Sequence, residues 1–66
     1  MKAINIKQEL NFIHSEKMKV SNKESLQFEL LNVAQVLISN CLNANTNKIK
    51  RFYKIVYLKT KEFYLE

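Results

Sequence analysis

Glycine and proline are both missing from this 66-residue chain, and aspartate and tryptophan are missing with them. Without glycine, the sharp positive-φ turns favoured by β-hairpins fall to asparagine alone, and neither a glycine-rich phosphate loop nor a nucleophile elbow can be built. Helices joined by short asparagine-containing turns are the simplest architecture that remains. Cysteine occurs once, as Cys41, which excludes an intramolecular disulfide and points to a reducing cytoplasm. With no aspartate, one histidine (His14) and one thiol, the chain has no cluster of residue types that would hold a metal. The glutamates Glu9, Glu16, Glu24 and Glu29 fall on polar faces or at helix caps, and a chain this short offers no pocket to tune one as a general acid. No cofactor is expected, and the chain reads as non-enzymatic.

Long apolar runs are also absent. The N-terminal stretch MKAINIKQELNF places Lys7, Gln8 and Glu9 where a secretory signal needs an unbroken apolar segment. Residues 30–47 carry no charge, yet Asn32, Gln35, Ser39, Asn40 and Asn43 interrupt them well short of a bilayer span. No membrane span is expected from this pattern.

What is present is 47% hydrophobic residues, including seven aromatics, in a chain of formal charge +5. That content is too apolar for a disordered tail and marks residues 1–66 as a single small domain. A domain of this size buries only about 60% of the surface its unfolded chain exposes, so self-association is an expected source of extra stability. Ten lysines against one arginine, together with eight asparagines, is the profile that coding bias in an AT-rich genome produces. Part of the positive charge is therefore compositional.

Apolar residues recur at helical spacing in three blocks, giving an all-α fold: a three-helix bundle, or a helical hairpin plus a C-terminal amphipathic helix, with helices at about 6–19, 22–43 and 47–65. Asn5 followed by Gln8 is a capping pattern for the first helix, whose inward stripe reads Ala3, Ile6, Leu10, Ile13 and Val20, with Lys17 in the same column. Ser21 and Glu24 form an S-x-x-E capping box for the second. In that helix Leu26, Leu30, Val33, Leu37 and Cys41 repeat at spacings of three and four, and Leu31, Ala34, Ile38 and Leu42 widen the stripe. Thr46 or Asn47 opens the third helix. There, Ile49, Phe52, Tyr53, Val56, Tyr57, Thr60, Phe63 and Tyr64 fall within roughly 140° on a helical wheel. Leu30, Leu37, Cys41, Phe52 and Val56 are the expected core. The β-propensity of the C-terminal residues supports an alternative in which 48–66 form a strand or hairpin, giving an α+β fold.

Charge is unevenly distributed. Residues 48–66 carry six cations and two glutamates (+4), whereas residues 1–47 carry five cations and four glutamates (+1). On the third helix Lys50, Lys54 and Lys61 share one flank, with Arg51 nearby. They are the candidate contacts for nucleic-acid phosphates or an acidic partner. Base reading is mostly arginine work, and this chain has only Arg51. Ile55, Leu58 and Leu65 form a second apolar row on the outer side of the same helix, joined by Phe12, Phe28 and Val36 from the other helices. Such a row fits a partner surface or a second copy.

Two functional readings follow. The first is a helical protein-interaction module, an accessory regulator or inhibitor of the kind a plasmid or phage carries, acting as a homodimer or on another protein. The second is a basic helical protein that binds nucleic acid through lysine–phosphate contacts. The positive charge argues against mimicry of DNA, which needs an acidic surface.

Overall fold

The computed structural model describes residues 4–66. They form three helices: α1 (Ile6–Lys19), α2 (Leu26–Asn43) and α3 (Asn47–Leu65). Residues 48–66 are therefore not a strand, and no strand occurs among the described residues. Each start is fixed by a short polar side chain. The Asn5 side chain accepts from the Gln8 backbone N–H at 3.2 Å, and Thr46 Oγ1 accepts from Ile49 N–H at 3.3 Å. None of the described residues has a positive φ, so the connections need no glycine.

The second helix starts four residues later than its capping box suggests. Ser25, not Ser21, is the N-cap, accepting from Phe28 N–H at 3.3 Å. Asn22 explains the shift. Its side chain accepts from Glu24 N–H at 3.0 Å and its carbonyl from Ser25 N–H at 3.2 Å, closing a tight turn over residues 22–25. Extending the helix back would add a turn of exposed polar residues with no apolar surface to bury.

The helices pack as a bundle 36 × 19 × 19 Å in extent. Glu9 of α1 meets Tyr57 of α3, and Glu16, one heptad on, meets Tyr64, so α1 and α3 run parallel. The three-residue loop 44–46 turns α2 back against α3. Near that turn the Cys41 thiol donates to the Lys50 carbonyl at 3.6 Å. Ile13, Ala34, Ile38 and Tyr57 make the buried centre, with Leu10, Phe12, Leu37 and Leu58 packed around it. Leu31 and Cys41 are also buried.

This core corrects the expected one in two places. On α2, Leu31, Ala34, Ile38 and Cys41 point inward, while Leu26 and Val33 are exposed and Leu30 and Leu37 are half-buried. On α3 the inner face centres on Tyr57, and Phe52 is exposed instead of buried. Tyr57, Lys61 and Tyr64 can turn inward because α1 presents Glu9 and Glu16 to their polar tips. Phe52 has no polar tip to offer those carboxylates. Ala3 of the expected α1 stripe lies outside the described residues.

Candidate functional site

The contact between α1 and α3 is polar at its tips and apolar at its stems. Glu9 Oε1 accepts from the Tyr57 hydroxyl at 2.6 Å and from Lys61 Nζ at 2.8 Å. Glu16 accepts from the Tyr64 hydroxyl at 2.9 Å and pairs with Lys19 at 2.9 Å. Burial opposes the charge on Glu9. Hydrogen bonds from Lys61 and Tyr57 outweigh it and hold the carboxyl below its usual range. The Tyr57 phenol is pushed well above its ordinary range, first by burial and then by the Glu9 carboxylate. Lys19 and Tyr64 likewise hold Glu16 low, and burial, then Glu16, raises Tyr64. This seam has its donors and acceptors matched. It works as a fastening for α1.

The same geometry places the basic flank. Lys61 is committed to Glu9, with its ammonium 4.6 Å from the Phe12 ring centre. Lys50 and Lys54 are half-buried beside the inner face, and Arg51 is exposed. The cations expected to face phosphate together therefore border the bundle's own seam, and only Arg51 is fully presented to solvent.

The outer row divides as well. Ile55 and Leu65 are exposed, but Leu58 between them packs against the core. Phe12 is half-buried edge-on to Tyr64, at 6.3 Å between ring centres. Phe28 is half-buried, with Lys17 and Lys23 over its ring at 5.5 and 5.0 Å. Lys17 also donates to Gln35, holding α1 against one side of α2.

A larger apolar surface lies where α1 does not reach. At 100° per residue, Val33 sits about 160° around α2 from Gln35, and Phe52 about 180° around α3 from Lys61. Gln35 and Lys61 both touch α1, so Val33 and Phe52 belong to the back of the α2–α3 hairpin. Two rows line this back: Leu26, Leu30, Val33 and Leu37 on α2, and Ile49, Phe52, Val56 and Phe63 on α3. Leu26 is 72% exposed, Phe63 70%, Phe52 60% and Val33 48%. At the α2 edge, Asn32, Val33, Val36 and Leu37 line an apolar-walled depression of about 270 Å³. Lys59, exposed and 3.7 Å from Glu62, falls between Val56 and Phe63 in the α3 row, and Lys48 and Glu29, also exposed, stand at the outer borders of the hairpin back.

The repeat that makes the α2 row is plain in the sequence, but reading it as core concealed it as a surface. The missing signal was the choice between two overlapping stripes on one helix. Among the described residues no group of three or more metal-binding side chains comes together, His14 is exposed and Cys41 is buried. No helix described is long and apolar enough to cross a membrane. No known protein family, curated protein or solved structure matches this chain.

Proposed function

We propose that this chain is a small non-enzymatic protein-interaction module, an accessory regulator or inhibitor in the cytoplasm, that acts by laying the back of its α2–α3 hairpin against a protein surface. One observation carries the reading: on the side of the hairpin away from α1, Leu26, Val33, Ile49, Phe52 and Phe63 of the two apolar rows are exposed, Phe52 and Phe63 by more than half. Monomeric proteins seldom leave contiguous apolar area of this kind, and aromatic side chains are the residues that dominate binding energy at protein interfaces. The depression beside Val33 and Val36 is walled by apolar atoms and suits an apolar side chain from a facing element.

A photoreactive phenylalanine analogue in place of Phe52, in the full chain expressed in cells, tests this. Covalent protein adducts should form at position 52 and not when the analogue replaces Lys7 on the exposed side of α1. Absence of any protein adduct at position 52 would refute the reading.

A further inference from the structure

We infer that the cover for this face is a second copy of the same chain, joined through the backs of the two α2–α3 hairpins about a two-fold axis running along the helices. The inference rests on the reading of that face as a protein-binding surface and names its occupant. Area argues first. Surface scales with mass among compact monomers, and a 7.9 kDa chain should expose about 4,400 Å². This one exposes 5100 Å². The excess of about 700 Å² is close to the roughly 800 Å² that each partner gives up in an interface of standard size.

Charge argues next. Two copies at +5 each repel, so a contact between them is favoured where it adds few like charges to that repulsion. Apart from Lys59, the residues of the two rows are apolar, and residues 30–47 carry no charge at all. A strongly acidic partner would find only Lys59 within the rows to pair with its carboxylates. Lys59 on α3 and Glu29 at the border of α2 carry opposite signs that can meet across two copies.

Register supplies the geometry. Residue 41 is level with residue 50, and the two helices run antiparallel, so Phe52 lies within about one turn of Val36 along the bundle. Lys59 is likewise within about one turn of Glu29. A two-fold axis parallel to the helices sets α2 of each copy against α3 of the other without changing these heights. It brings each Phe52 ring to the depression lined by Val33, Val36 and Leu37 on the second copy. The same rotation brings Glu29 of one copy toward Lys59 of the second. The result is a four-helix centre with the two α1 helices outside, and surplus apolar surface becomes core.

Light scattering behind a sizing column, from low to high micromolar concentration, should give a mass near twice 7.9 kDa. Phe52→Glu and Phe63→Glu alter exposed positions and should keep the helical signal while weakening dimerisation by roughly tenfold or more. Leu65→Glu, on the opposite flank of α3, should leave the dimer unchanged. Glu29→Lys should weaken association, and Glu29→Lys with Lys59→Glu should restore it, which only contact between two copies would do. A wild type that stays monomeric at high micromolar concentration overturns the inference, as does a dimer that survives both phenylalanine substitutions or dissociates with Leu65→Glu. If either glutamate variant loses helix, the photoreactive analogue at position 52 decides: a chain-to-chain adduct supports the second copy. Adducts only with other proteins overturn it while leaving the interaction reading standing.

Discussion

Removing the Tyr57 hydroxyl should cost this protein a measurable share of its stability without disturbing its core. The ring is 0% exposed and its hydroxyl donates to Glu9 Oε1 at 2.6 Å. Tyr57→Phe keeps the packing and deletes one hydrogen bond to a charged acceptor, a class worth about 1.5 to 3 kcal/mol. Lys61 still donates to the same oxygen at 2.8 Å, so Glu9 is not orphaned and the cost falls near the lower figure. For a domain of this size about 1.5 kcal/mol lowers the melting temperature by roughly 6 to 12 °C. Glu9→Leu does more, because it leaves the inward-facing hydroxyl without an acceptor and frees Lys61, for about 2 to 3 kcal/mol. The two changes break the same bond, so the double variant should cost at least about 1 kcal/mol less than the sum of the singles. Acid should expose the same contact. Glu9 titrates below its ordinary 4.5 in the folded chain, so the unfolded chain binds more protons through that interval. The contribution is present above pH 4.5, is lost as pH falls through the folded value, and should shrink in Glu9→Leu. Urea unfolding followed by circular dichroism, at one fixed protein concentration, reads both effects. Costs that add to within about 0.5 kcal/mol, or an acid limb unchanged by Glu9→Leu, would refute the account of the seam.

Other substitutions separate the observed architecture from the one the sequence suggests. Ser25→Ala should lose about 1 kcal/mol by removing the α2 cap, whereas Ser21→Ala should be nearly silent in the same unfolding experiment. Ile38→Ala opens a cavity at a fully buried site and should cost about 2 to 5 kcal/mol, while Val33→Ala at a half-exposed position should cost well under half of that in the monomer.

Helix number, type and the outer limits of the fold are legible in the sequence, because they depend on local chemistry. The absence of glycine and proline, the 3.6-residue spacing and the short polar side chains at Asn5 and Thr46 act within a turn or two of themselves. The α2 start escaped for an equally local reason: Asn22 competes for the backbone that Ser21 was expected to cap, and Ser25 caps the helix four residues later. Which face of each helix turns inward is a different kind of fact. The apolar residues on α2 and α3 cover more of each helix than one neighbour can bury, so periodicity alone leaves two overlapping stripes to choose between. The choice was made by α1, through Glu9 and Glu16, whose carboxylates draw Tyr57, Lys61 and Tyr64 inward from 48 or more residues away. That pairing sets the rotation of α3, and the rotation leaves Phe52 and Phe63 facing outward. The exposed hairpin back thus exists only in three dimensions, because it is the side of two helices that a third, fastened by long-range polar contacts, does not cover.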